Sequence, residues 1–240
     1  MTETRVGGDA VREADEAALR ARFEVREEPF AHRDFAVRML LPRAADALID
    51  EAEFDADERL PYWADLWPSA RGLTRHLLDR PPAEARIVEL GAGVALPSLA
   101  LRHLGADPLA TDYYADALRF AGANAARNGL GSLRTALLDW RDPPAGDRWG
   151  LVVAADVVYE QRNAEALAAL LPRILADGGR MLLADPGRVY FGEFRDRMEE
   201  KDWAVEEIDV RTETSDPVTG ATSTVRIWRV AVEGVARRGR

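Results

Sequence analysis

The sequence predicts an α/β fold: an open, mostly parallel sheet whose chain ends on an antiparallel pair of strands. Three observations predict it. From about residue 68 onward, short apolar runs alternate with helix-period segments. A glycine-containing loop, VELGAGVALPS, connects one such run to a helix. Two late strand-like runs, WAVEEIDV and TVRIWRVAV, follow one another without a helix, which suggests an antiparallel pair at the sheet edge.

The elements can be justified in order. Residues 1–22 read as a helical or frayed arm with little to bury, polar and acidic rather than a signal peptide. FEVREEPF and RDFAVRMLLP alternate partially and predict two strands of a hairpin-like unit. IDEAEFDADE is an acidic run, expected to be solvated surface. Next comes LPYWADLWPSA, dense in aromatics. Pro68 pushes the preceding residue out of the α region and is itself welcome at a first helical position, so a helix should run from Pro68 to about Arg80 with Trp67 at its doorstep.

ARIVEL is a strand, and ALPSLALRHLG a helix stopped by Gly105. DPLATD is the second strand of this region. YADALRFAGANAARNG is a helix with Ala117, Leu118, Ala121 and Ala125 on one face and Asn128-Gly129 as its stop. LRTALLDW is a third strand, and WGLVVAADVVY a fourth, apolar enough for burial on both faces. RNAEALAALLPRILADGG predicts a helix closed by Gly178-Gly179; RMLLADP is a fifth strand and FGEFRDRMEEK a helix. The expected organisation is an arm and short β unit over 1–57, one main domain over 58–232 and a basic tail over 233–240.

Composition narrows the function. An apolar share of 47% supports a sizeable core, and no run approaches the roughly 20 apolar residues of a membrane helix. With no cysteine, disulfides, iron–sulfur clusters and thiolate zinc sites are excluded, which fits the cytoplasm. The three histidines lie far apart in sequence, so no metal site is expected. A net charge of −10 argues against nucleic acid as partner and for cationic ones.

The glycine loop carries the chemistry. Gly91 and Gly93 let a ligand approach bare backbone between a strand and a helix. A dinucleotide fingerprint wants a third glycine where this chain has Leu96, which disfavours a nicotinamide or flavin enzyme. Asp112, at the end of the next strand, is placed to accept from two ribose hydroxyls. No Walker lysine follows the loop, and no GxSxG elbow is present.

The EL-GAG loop, the Asp after the second strand, LDW after the third and ADVVY after the fourth resemble class I S-adenosylmethionine-dependent methyltransferases. More closely, they resemble the seven-strand protein lysine methyltransferases with an Asp-x-x-Tyr motif, over about residues 58–232. The resemblance implies a Rossmann-like seven-strand sheet with a reversed C-terminal strand, and S-adenosylmethionine as donor. It implies that Trp67, Glu89, Gly91, Ala92 and Gly93 line the donor site, with Asp112 on the ribose. It further implies that Trp140 packs near the adenine, that Asp139 accepts from its amino group, and that the Ala155 backbone passes the donor.

By the same resemblance Asp156 orients the acceptor amine and Tyr159 walls its channel. The alternative is that Asp156 caps the next helix while Tyr159 packs. Tyr62 and Trp63 either shape the acceptor entrance or, for Trp63, belong to the core. Asp185, Arg188 and Tyr190 stand on the same rim and could contact the acceptor, although Pro186-Gly187 is first of all a turn signal. Asn-Pro-Pro-Tyr, which suits planar amide and base acceptors, is lacking. The expected activity is therefore N-methylation of a protein lysine. A small-molecule amine methyltransferase and a non-catalytic donor-binding module are the alternatives, with the oligomeric state left open.

Overall fold

A computed structural model describes residues 16–43, 61–143, 146–216 and 219–233. Residues 16–22 form helix α1, followed by β1 (Val25–His32) and β2 (Phe35–Pro42), an antiparallel hairpin turned at Arg33-Asp34. The expected hairpin is present. The acidic run 49–58, the expected boundary at residue 57 and the tail from 234 lie outside the described residues.

The main sheet has seven strands: β3 (Ile87–Leu90), β4 (Leu109–Asp112), β5 (Arg134–Leu137), β6 (Trp149–Ala155), β7 (Leu175–Asp185), β8 (Trp203–Asp216) and β9 (Ala221–Val232). Their order across the sheet is β5-β4-β3-β6-β7-β9-β8. Every pair from β5 to β7 is parallel; β9 runs antiparallel to both β7 and β8. The chain thus leaves β3 toward one edge and returns at β6 toward the other. The crevice between those two strands, at their carboxyl ends, is where such sheets bind ligands.

The helices are α2 (Pro68–Asp79), α3 (Leu96–His103), α4 (Ala115–Arg127), α5 (Gln161–Ile174) and α6 (Phe191–Glu199). Helix α2 begins as Pro68 dictates: Trp67 is extended (φ −65°, ψ 148°) and Pro68 stands in the first turn. Helix α5 stops earlier than Gly178-Gly179 predicts. Pro172 lies within it and the chain is already extended at Leu175, which pairs with Trp149 as β7 begins. The third strand is also shorter than LRTALLDW suggests: it ends at Leu137, the Leu138 N–H makes a last bond to the Asp112 carbonyl at 2.9 Å, and Asp139 and Trp140 turn away.

The hairpin is held to α4 by two asparagines one helical turn apart. Asn124 Oδ1 accepts the Leu40 N–H at 2.6 Å while its Nδ2 donates to the Leu40 carbonyl at 3.0 Å. Asn128 repeats the pattern on Arg38, at 2.8 and 3.2 Å. The N–H and carbonyl of both Leu40 and Arg38 are thereby satisfied, and Arg127 Nη1 donates a second bond to the Arg38 carbonyl at 2.8 Å. Phe23, Phe30, Phe35 and Leu40 join Phe120 and Trp63 in one apolar cluster beneath.

Candidate active site

The carboxyl ends of β3, β4 and β6 open onto one cleft of about 280 Å³, near the small end of the ~300–1,000 Å³ usual for small-molecule sites. Its first wall is the turn after β3. Gly91 and Gly93 take left-handed backbone, at φ 60° and 52°. A Cβ on Gly91 would stand 3.0 Å from Val157 Cγ1, and one on Gly93 3.1 Å from the Trp63 carbonyl oxygen. Bare backbone is required there. Ala95, also left-handed at φ 64°, closes the turn, and Leu96 starts α3 fully buried in the core, where a dinucleotide fingerprint would have glycine.

Two buried carboxylates hold this turn from below. Glu89 Oε2 accepts the Ser98 N–H at 2.9 Å and also the Ser98 hydroxyl, so it caps α3 from the neighbouring strand. Burial pushes its pKa up to about 8, against the pull of the two Ser98 bonds. Asp112 Oδ2 accepts the Gly93 N–H at 2.8 Å, and Oδ1 the Tyr114 N–H at 2.9 Å. It lies at the end of β4 as expected, and its visible work is to tie the glycine turn to that strand.

Tyr113, Leu138 and Trp140 form the next stretch of lining. Asp139 lines the cleft too, but its carboxylate grips Arg141 through three contacts of 2.7–3.0 Å. Arg141 in turn lies 5.8 Å from the Tyr113 ring centroid. The Asp139 expected on the adenine amino group is thus half of an ion pair. Sequence reasoning passed over Arg141, although the i, i+2 spacing of an Asp and an Arg after a strand was a readable signal.

The opposite wall is aromatic and anionic. Asp156 follows β6 with φ 59°, a left-handed conformation uncommon for a non-glycine residue and frequent at functional sites. Its side chain is almost wholly buried. Ser69 Oγ donates to Oδ2 at 3.3 Å, and Arg188 Nε to Oδ1 at 2.6 Å. It does not cap α5, which begins at Gln161 with Glu160 before it. Tyr62 packs edge-on against both Trp67 and Tyr159, with ring centroids 6.0 and 5.1 Å away. Trp67 Nε1 donates to the Tyr62 carbonyl at 2.8 Å, which locks the indole in place.

Most of the expected site residues meet in this cleft: Trp67, Glu89, Gly91, Ala92, Gly93, Asp112, Asp139, Trp140, Ala155, Asp156 and Tyr159 all line it. Trp63 also lines it but is mostly buried in the core, its ring 5.7 Å from that of Phe120. Asp185 and Tyr190 serve the loop. Asp185 Oδ1 accepts the N–H groups of Gly187 and Arg188 at 2.7 and 2.9 Å, and Tyr190 precedes α6. Ser69 was not foreseen; 87 residues separate it from Asp156, and nothing local marks it.

A mostly parallel seven-strand sheet with a reversed last strand and a cleft at its switch point defines a Rossmann-like methyltransferase fold. Two solved structures from Pyrococcus horikoshii share it. The candidate transferase PH0793 has a TM-score of 0.54 and 16% identity, covering 86% of this chain and 72% of that one. The candidate RNA methyltransferase PH1948 has a TM-score of 0.56 and 15% identity, covering 71% and 88%. The lysine methyltransferase family model matches residues 64–200, and the chain belongs to that family. It is similar to the electron transfer flavoprotein beta subunit lysine methyltransferase of Mus musculus, 32% identical over 136 residues. That match covers 55% of this chain and 52% of the mouse protein, so the chain spans about half the length of the curated relatives it matches.

Proposed function

We propose that the protein transfers the methyl group of S-adenosylmethionine to the ε-amine of a lysine in another protein. The observation that carries this reading is the continuity of the cleft. One end offers bare backbone and the Asp112 carboxylate; the other offers Asp156 between Tyr62, Trp67 and Tyr159. The first end suits an amino acid–nucleoside donor: peptide edges at Gly91 and Gly93, an acid for a ribose diol, and the flat faces of Tyr113 and Trp140. The second suits a cation or amine, which aromatic faces and a buried carboxylate attract.

When bound, the donor supplies an electrophilic methyl on a sulfonium. The lysine nitrogen forms the new N–C bond with its lone pair as the C–S bond breaks and its electrons stay on sulfur, leaving a neutral thioether. The amine's proton passes to water. A lysine with a pKa of about 10.4 is protonated at neutral pH, and the neighbouring sulfonium and partial burial both favour its neutral form. The chain therefore has to align rather than deprotonate, holding nitrogen and methyl within about 3–3.5 Å in line. Asp156 orients the amine, and Tyr159 and Tyr62 wall its approach.

The acceptor is a protein rather than a nucleic acid, in keeping with the net charge of −10. Among the described residues no helix is long and apolar enough to cross a membrane, and the lack of cysteine fits a cytoplasmic site of action. The names of the relatives make the electron transfer flavoprotein β subunit the first acceptor to try. Labelled donor incubated with the protein and a lysate of its own organism tests the class of acceptor. Label on a protein lysine supports the reading; label confined to small molecules, or donor binding with no transfer at all, contradicts it.

A further inference from the structure

We propose that Arg188 is a positioning residue for methyl transfer: its guanidinium neutralises Asp156, so that the carboxylate can orient the acceptor amine without keeping a proton on it. This rests on the lysine methyltransferase reading above. A lone buried carboxylate beside an amine stabilises the ammonium, the one form of lysine that cannot attack. Asp156 is not alone. Arg188 Nε meets Oδ1 at 2.6 Å, and its guanidinium carbon lies 5.6 Å from the Trp67 ring centroid. The cation thus bridges two groups that line the acceptor end of the cleft. The pair is close to neutral as a unit, while Asp156 keeps lone pairs free to accept from an entering N–H.

The surroundings hold Arg188 in this role. Asp185 binds the Gly187 and Arg188 N–H groups and so fixes the backbone from which the side chain departs. The Asp156 hydrogen bond raises the guanidinium's already high pKa, so Arg188 remains charged. The other groups around the pair are the Ser69 hydroxyl and Trp67 from the start of α2, the phenols of Tyr62 and Tyr159, and the Asp185 carboxyl from the end of β7. Arg162, paired with Glu160, lines the same cleft. Asp185, pushed up to about 6 by burial, is ionised throughout the alkaline range where an amine titrates. It acts alike on every variant there.

The test is the pH dependence of kcat for the wild type, Arg188→Lys and Arg188→Gln, with saturating donor and the electron transfer flavoprotein β subunit as acceptor. The rising limb reports deprotonation of the bound amine. Removing the positive charge in Arg188→Gln should move that limb up by about one pH unit, with rates approaching the wild type at the highest pH. Arg188→Lys keeps the charge and should leave the limb in place. An unmoved limb in Arg188→Gln overturns the proposal, as does an equal displacement in Arg188→Lys. So does an Arg188→Gln enzyme that binds donor normally yet transfers nothing at any pH. Failure of the wild type to methylate any protein lysine, in this acceptor or in the lysate, would instead be a failure of the functional reading, and the proposal would fall with it.

Discussion

Asp112 accepts the backbone N–H of Gly93 at 2.8 Å across a separation of 19 residues. The contact makes one carboxylate responsible both for the shape of the glycine turn and, in the proposed function, for the ribose of the donor. Asp112→Ala should therefore weaken donor binding by about ten- to a hundredfold, the worth of a hydrogen bond to a charged group. It should also lower stability by about 1–3 kcal/mol, because the Gly93 and Tyr114 N–H groups lose their partner. Calorimetry and denaturant unfolding measure the two effects. Unchanged donor affinity would contradict the ribose assignment.

Asp156 should separate binding from transfer. Asparagine tolerates the left-handed backbone at φ 59°, so Asp156→Asn is expected to fold normally. Donor affinity should stay within about twofold, while kcat falls by about a hundredfold, near 2.7 kcal/mol of barrier. A matched loss of donor binding and rate would move Asp156 from the acceptor to the donor.

The hairpin prediction concerns stability alone. Asn124 is fully buried, and its amide satisfies both backbone groups of Leu40. Asn124→Ala should cost about 2–4 kcal/mol, read as a lower denaturation midpoint at unchanged slope. Asn128→Ala, at the exposed end of the same pattern, should cost less.

Glu89 gives the fold a pH dependence of definite sign. Its pKa in the folded protein, about 8, lies above the ordinary 4.5, so the folded state binds more protons between those values. The contribution is fully present below the unfolded pKa and is lost as pH rises through about 8. Melting temperature of the donor-free protein should thus fall from pH 5 to pH 9 by more in the wild type than in Glu89→Gln. Parallel profiles for the two would refute the assignment.

Much of this architecture was legible in the sequence. Alternating periods marked the strands and helices, Pro68 fixed the start of α2, and Gly91 and Gly93 marked a left-handed turn where a Cβ would crowd its neighbours. The misreadings have physical causes. The glycines at 178 and 179 looked like a helix stop, but Pro172 and the pairing of Leu175 with Trp149 ended the helix first. Strands β8 and β9 run to 14 and 12 residues because they pair with each other; Arg211 to Thr214 show no apolar alternation that would reveal it. The partners of Asp156 were out of reach for another reason. Ser69 and Arg188 come to it from 87 residues before and 32 residues after, and only the sheet order brings them together.

The central claim is that the cleft after β3 and β6 passes a methyl group to a protein lysine. Its most direct measurement is residue-resolved mass spectrometry of the electron transfer flavoprotein β subunit after incubation with S-adenosylmethionine and the wild-type protein or Asp156→Asn. Methyl increments on lysine side chains with the wild type, and few or none with Asp156→Asn, are the predicted result. An unmodified β subunit together with no methylated lysine in the proteins of the organism's lysate, or equal modification by both proteins, would contradict it.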